Sequence, residues 1–218
     1  MEETFSHVVY SKNVLEFVTV SNEFCNMLEQ AGEFPKKDFI GITLKILPLL
    51  YLKASVLPKT EEELADEFIE KAVDEGLYQQ ILNQIRNKMG QHDDYLEVFT
   101  ADMQHSDMPL TATVSEDLTD IYQDIKNFIE AYKTAVTEIM NDALFDLTNN
   151  FELYWGQRLV NTLRALHNVY YSGDDLTDEE QKKKEEENDE KRNTDEWIIS
   201  KVQKMWQDDN DELTDIED

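Results

Sequence analysis

Apolar residues recur at spacings of three and four over most of positions 8–171, which predicts an all-α fold, a single bundle of about six to seven helices. Val14, Phe17, Val18, Ser21, Phe24, Cys25 and Leu28 form one stripe of an amphipathic first helix within Val8 to Leu28. Gly32 offers a stop, and Pro35 stands where a second helix begins. That helix runs from about Lys36 to Leu57, with a kink expected near Pro48. Thr60 and Glu63 have capping-box spacing, so a third helix is expected through Leu64, Phe68, Ala72 and Val73. A fourth, carrying Leu77, Ile81, Leu82 and Ile85, ends at Gly90.

Residues 90–114 lose the helical period and read as a long connection. Tyr95 to Phe99 alternates like a strand, but no neighbouring segment offers itself as its partner. Ser115 is the expected cap of a fifth helix that turns Leu118, Ile121, Tyr122, Ile125 and Phe128 inward. The period resumes near Ala135 and continues to Tyr170, with Asn149-Asn150 a possible break. The chain therefore reads as a helical-bundle domain, 1–172, and an acidic, partly disordered tail, 173–218. Within the tail, Trp197, Ile198, Val202, Met205 and Trp206 lie at helical spacing in a short amphipathic element, 195–206.

Charge changes the picture more than composition does. The 218 residues carry 48 acids against 20 bases, a net charge of −28. Residues 1–60 contribute −1, residues 61–171 contribute −15, and residues 172–218 contribute −12. Such a balance argues against nucleic-acid binding, which needs clustered Lys and Arg, and against an anionic membrane surface. Phe39 to Leu57 approaches the length of a membrane span, but Lys45, Pro48 and Lys53 interrupt it. A lysine at mid-helix costs roughly 2.5–3.5 kcal/mol on insertion. A core helix with both lysines reaching outward is the simpler reading. The N-terminus is acidic where a secretory signal is basic, and the single Cys25 excludes an intrachain disulfide. A cytoplasmic protein is expected.

Candidate chemistry is sparse. Glu63, Glu67 and Glu70 share one helix face by spacing, and Asp117, Asp120 and Asp124 share another. Two such faces meeting in a bundle would hold Mg²⁺, as in all-helical nucleotide pyrophosphohydrolases. The alternative is two solvated faces, which 48 acids produce readily. His92, Asp93, Asp94, Asp102, His105 and Asp107 crowd the long connection without matching a metal-ligand motif. Arg164 and His167 share a face with Trp155 upstream, either as an anion site or as packing in which Arg164 pairs with Asp117 or Asp120. Cys25 lies on an apolar stripe and reads as core, and no nucleophile elbow, phosphate-binding loop or dinucleotide fingerprint occurs.

Ser115-Glu116-Asp117-Leu118 with Asp120, followed by Trp155-Gly156 and Leu163-Arg164-Ala165-Leu166-His167, resembles a bacterial helical domain family of unknown function. Tyr95 and Phe99 fit a looser upstream element of that family, and the likeness covers roughly residues 10–171. The stretch from Leu144 to Leu147 departs from the pattern, since related sequences tend to carry tryptophans there. The resemblance implies a compact helical domain and brings no reaction with it. Trp155-Gly156 suits a close approach that a side chain at 156 would block. A candidate pocket is therefore drawn from Asp117, Asp120, Tyr122, Trp155, Arg164 and His167. The expected function is a non-enzymatic binding or regulatory protein that meets a basic protein partner through its acidic helices and the tail element, with no cofactor. The alternative is a metal-dependent hydrolase, the only reading that calls for Mg²⁺.

Overall fold

A computed structural model of the chain describes residues 7–64, 71–97 and 110–177. The elements run α1 (Lys12–Glu29), α2 (Lys36–Ser55), α3 (Glu75–Met89), β1 (Asp94–Leu96), β2 (Thr111–Thr113), α4 (Val114–Lys133), α5 (Thr137–Asn150) and α6 (Gly156–Tyr171). The protein is thus mostly helical, as the periodicity predicts. Helix α4 is the hub. It packs on α1, α3, α5 and α6, while α2 lies against α1 and α6. The predicted stripe of α1 is the buried one: Val14, Phe17, Ser21, Phe24, Cys25 and Leu28 all face the core. Trp155, Tyr122, Phe17, Phe24 and Phe39 are the bulkiest fully buried side chains. Burying each is worth about 2–3 kcal/mol by area, which is why the stripes decide the packing.

Helix α2 keeps Pro48 within its span although proline supplies no N–H for the turn below. Lys45 is exposed, and Lys53 donates to Glu16 Oε2 at 2.6 Å, so both lysines leave the core as expected. Asp74 caps α3 by accepting from the Leu77 amide at 2.8 Å. Gly90 ends it at φ +54°, a conformation that glycine adopts without the steric cost of a Cβ. No helix among the described residues is long and apolar enough to cross a membrane.

Four expectations change. Thr60 does not open a helix: residues 57–63 have no regular structure, and residues 65–70 lie outside the described set. Asp142 of α5 accepts from the amides of Glu63 (2.8 Å) and Leu64 (2.6 Å), and Asn141 donates to the Glu61 carbonyl at 2.7 Å. These side-chain bonds satisfy backbone groups that a helix would otherwise pair.

The strand near Tyr95 does have a partner. Asp94–Leu96 pairs antiparallel with Thr111–Thr113 at the far end of the connection, with Tyr95 opposite Ala112.

The cap of α4 is Thr113, whose hydroxyl accepts from the Glu116 amide at 3.2 Å. Ser115 sits inside the helix. Its amide (2.8 Å) and hydroxyl (2.6 Å) both donate to Asp93, which is 5% exposed.

Finally, Asn149-Asn150 does not break the last helical stretch. A π turn over Phe151–Trp155 joins α5 to α6. The compact unit containing these elements extends to Leu176, whose side chain is buried. Of the second unit only Thr177 is described, so Trp197, Ile198, Val202, Met205 and Trp206 lie outside the described residues.

Candidate functional site

Helical spacing places Asp117 and Asp120 one turn apart on α4, where α6, α3 and β1 converge. Asp117 is 1% exposed. Its Oδ1 accepts from Arg158 Nη1 at 2.7 Å, and its Oδ2 accepts from Thr162 Oγ1 at 3.0 Å and from the Tyr95 hydroxyl. Asp120 accepts from the hydroxyls of Tyr78 and Tyr154, each at 2.7 Å, and its Oδ2 lies 3.3 Å from Arg158 Nη1. The guanidinium also stacks over the Tyr154 ring, 4.5 Å from its centroid. All four carboxylate oxygens therefore accept from protein donors, and one arginine bridges both acids.

Burial raises the Asp117 carboxyl above the usual range, against the pull of Tyr95, Arg158 and Thr162. It also opposes the charge on Arg158, but the two aspartates outweigh it and hold the guanidinium charged. Burial and the adjacent carboxylates push all three tyrosines upward, Tyr154 to about 12. At neutral pH they stay protonated and donate to the two aspartates.

The expected pocket does not assemble as one site. Arg158, absent from the sequence-based set, takes the pairing foreseen for Arg164. Six residues apart on a helix is about 120° of rotation, so the two arginines face different directions. Arg164 instead donates to the Leu96 carbonyl at 3.1 Å. His167 stacks near Tyr171, with ring centroids 4.7 Å apart. Tyr122 faces the opposite side of α4, where its hydroxyl donates to Glu29 at 2.9 Å beside Lys126. Trp155 is wholly buried, and its indole N–H donates to the Leu147 carbonyl at 3.2 Å. The signal for Arg158 was available: Tyr154, Arg158 and Thr162 stand four apart, on one face of the π turn and α6.

The acid triplets also separate. Asp124 lies one turn beyond Asp120, accepts from Asn150 at 3.1 Å, and lines a cavity of about 420 Å³ between α4 and α5 with Asp146, Asn127 and Lys71. Burial, with Asp120 and Asp146 nearby, raises its carboxyl to about 6. Glu63 lies on the irregular segment beside His7, at 3.7 Å. Glu67 and Glu70 lie outside the described residues, as do Asp102, His105 and Asp107. Asp93 is held by Ser115. Among the described residues no three His, Cys, Asp or Glu side chains gather in a metal-binding group. Burial pushes the Cys25 thiol well above its ordinary value.

A second concavity opens between α2 and α6, about 630 Å³ in volume. Leu44 and Pro48 line it from α2, and Val160, Leu163, Tyr170 and Tyr171 from α6, with Lys45, Arg164 and His167 alongside. Gly41 makes room for the Tyr170 ring, which lies 3.3 Å from where a Cβ would stand.

Residues 8–172, which span all of these helices, match the sequence pattern described as domain of unknown function DUF5063. The chain belongs to the DUF5063 family. The crystal structure of protein BF1032 from Bacteroides fragilis is 47% identical, and the similarity covers 77% of this chain and 98% of that one, with a TM-score of 0.69. No curated protein matches the sequence. Family membership brings no activity, so the chemistry rests on the residues themselves.

Proposed function

We propose that this DUF5063 protein is a non-enzymatic binding or regulatory protein of the bacterial cytoplasm that engages a basic protein partner. The observation that carries the reading is the state of Asp117 and Asp120. A hydrolase of the pyrophosphohydrolase type would hold Mg²⁺ on such carboxylates, whereas here Arg158, Thr162 and three tyrosines occupy every oxygen. A cation entering the site would have to displace a bonded guanidinium. The acids with catalytic spacing act as a clamp between α3, β1, α4 and α6.

The remaining charge is distributed for encounter. Of the 48 acids and 20 bases, one acid and six bases lie on α2 and α6, which leaves 47 acids and 14 bases elsewhere. That surplus speeds association with a positive surface and disfavours nucleic acid. The 195–206 segment, with its apolar face between acidic runs, supplies the anchoring side chains Trp197, Ile198, Val202, Met205 and Trp206.

The test is affinity capture with the intact chain at low and high salt, alongside calorimetry with Mg²⁺ and Mn²⁺. Basic proteins retained at low salt and released at high salt are expected, with no saturable metal heat. A saturable metal site lost in Asp117→Asn or Asp120→Asn, with turnover of a nucleoside triphosphate, overturns the reading.

A further inference from the structure

We propose that the groove between α2 and α6 is a docking site for an acidic amphipathic helix of a partner protein. This face is separate from the acidic surface above, and the partner it fits has the opposite charge. The two helices are about 100 residues apart in sequence, yet they pack side by side and together carry six bases and one acid, Asp38. Arg158 belongs to the Asp117–Asp120 clamp and Lys53 pairs with Glu16, so Lys45 and Arg164 are the Lys and Arg side chains that line the groove, in a chain of net charge −28.

The floor is apolar and open to solvent: Val160 is 44% exposed and Tyr171 is 68% exposed. Tyr170 and Tyr171 meet edge to face, with centroids 5.0 Å apart, and His167 flanks Tyr171, so the aromatic wall is braced from both sides. Lys45 makes no hydrogen bond or ion pair among the described residues. Arg164 commits one N–H to the Leu96 carbonyl and keeps others. Cations thus stand on both walls of an apolar trough, with no acid among its lining residues.

The shape selects a helix. Lining positions on α6 run from Val160 to Tyr171, twelve residues spanning about 17 Å of axis. On both helices they recur at three- and four-residue spacing, so the trough is a pair of parallel ridges. A third helix of about three turns fills such a trough with its own backbone already hydrogen-bonded. Apolar side chains at i, i+3, i+4 and i+7 would reach Leu44, Leu163 and Tyr170. Acids on its two edges would meet Lys45 and Arg164.

The probe is a fluorescent peptide of about sixteen residues with Leu and Trp at those positions and Glu elsewhere, titrated against the intact protein by anisotropy. Saturable binding is expected, and Lys45→Glu and Arg164→Glu should each weaken it about tenfold, the loss of roughly one ion pair. Lys45 is exposed and unbonded among the described residues, so Lys45→Glu should melt at the wild-type temperature, whereas Arg164→Glu also loses its bond to the Leu96 carbonyl and should melt slightly lower. A counterpart peptide with Lys for Glu should fail to bind the groove. No saturable binding overturns the proposal, as does binding indifferent to Lys45→Glu or equal for the two peptides. A dimer of the intact chain that Val160→Glu splits also overturns it, because a second copy then covers the groove. Failure here leaves capture of basic partners untouched, since amide substitutions of the surface acids affect that binding and not this one.

Discussion

Gly156→Ala is the sharpest perturbation of the joint between α5 and α6. A Cβ at this position would stand 2.5 Å from the Phe151 carbonyl oxygen and 3.0 Å from two atoms of the Phe151 ring. The carbonyl cannot retreat, because it accepts the Gly156 amide in the π turn. Nor can the ring, which packs between Tyr51 at 5.2 Å and Trp155 at 4.7 Å. Overpacking of this kind costs about 1–3 kcal/mol, and contact with backbone places this site in the upper half of that range. Replacing glycine inside a helix returns about 1 kcal/mol. The expected net loss is about 1–2 kcal/mol, a fall in Tm of roughly 2–8 °C for a chain of this size. Gly76→Ala is the matched control. Its Cβ would meet only Asp74 Oδ1 at 3.4 Å, so the same chemical change should stabilise by up to about 1 kcal/mol. Thermal and urea unfolding followed by circular dichroism measures both. The reasoning fails if Gly156→Ala melts at or above the wild type.

Asp124→Asn should change the pH dependence of stability. The folded carboxyl, at about 6, lies above its ordinary 3.8, so the protonated form is favoured by the fold. Its contribution is full below that ordinary value and disappears as pH rises through 6, at most about 3 kcal/mol before solvent screening. The amide variant should be more stable than wild type at neutral pH and flatter between pH 4 and 6 in a Tm titration. Arg158→Ala should cost about 3 kcal/mol because it leaves Asp117 buried without its cation. Adding Asp117→Asn should recover much of that in urea unfolding, and strictly additive losses would count against the clamp. Ala135 holds φ +56° just past the end of α4, so Ala135→Gly should raise stability by about 0.5–1 kcal/mol. A lower Tm would contradict that assignment. Asp142→Ala should release the 57–64 segment and speed proteolysis there at unchanged global stability.

Period carried most of the helical architecture. Stripes such as Val14-Phe17-Ser21-Phe24-Leu28 and Leu118-Ile121-Ile125-Phe128 were legible because a helix repeats every 3.6 residues, and burial selects the matching face. Three of the four misread segments share one cause. At Thr60, Ser115 and Tyr95 the deciding partner is distant in sequence: Asp142, Asp93 and the strand Thr111–Thr113, respectively. A capping-box spacing reports only local preference, and a buried carboxylate 78 or 79 residues away competes for the same amides. Gly156 was recognised as a point of close approach, but the crowding group is the Phe151 carbonyl of the same helical stretch, not a neighbouring helix.

The acid triplet on α4 shows where the two kinds of information divide. By itself the sequence determined that Asp117, Asp120 and Asp124 lie on one side of a helix, that the chain is mostly helical, and that its charge is concentrated after residue 60. Those properties follow from spacing and composition along a single chain. Only the tertiary structure decided that Asp117 and Asp120 are bound by Arg158 while Asp124 faces a separate cavity. It also decided that Arg164 and His167 belong to a groove with α2. Which face of α6 meets which helix is fixed by the packing of all the apolar stripes at once, and a rotation of about 120° is enough to exchange one arginine for another.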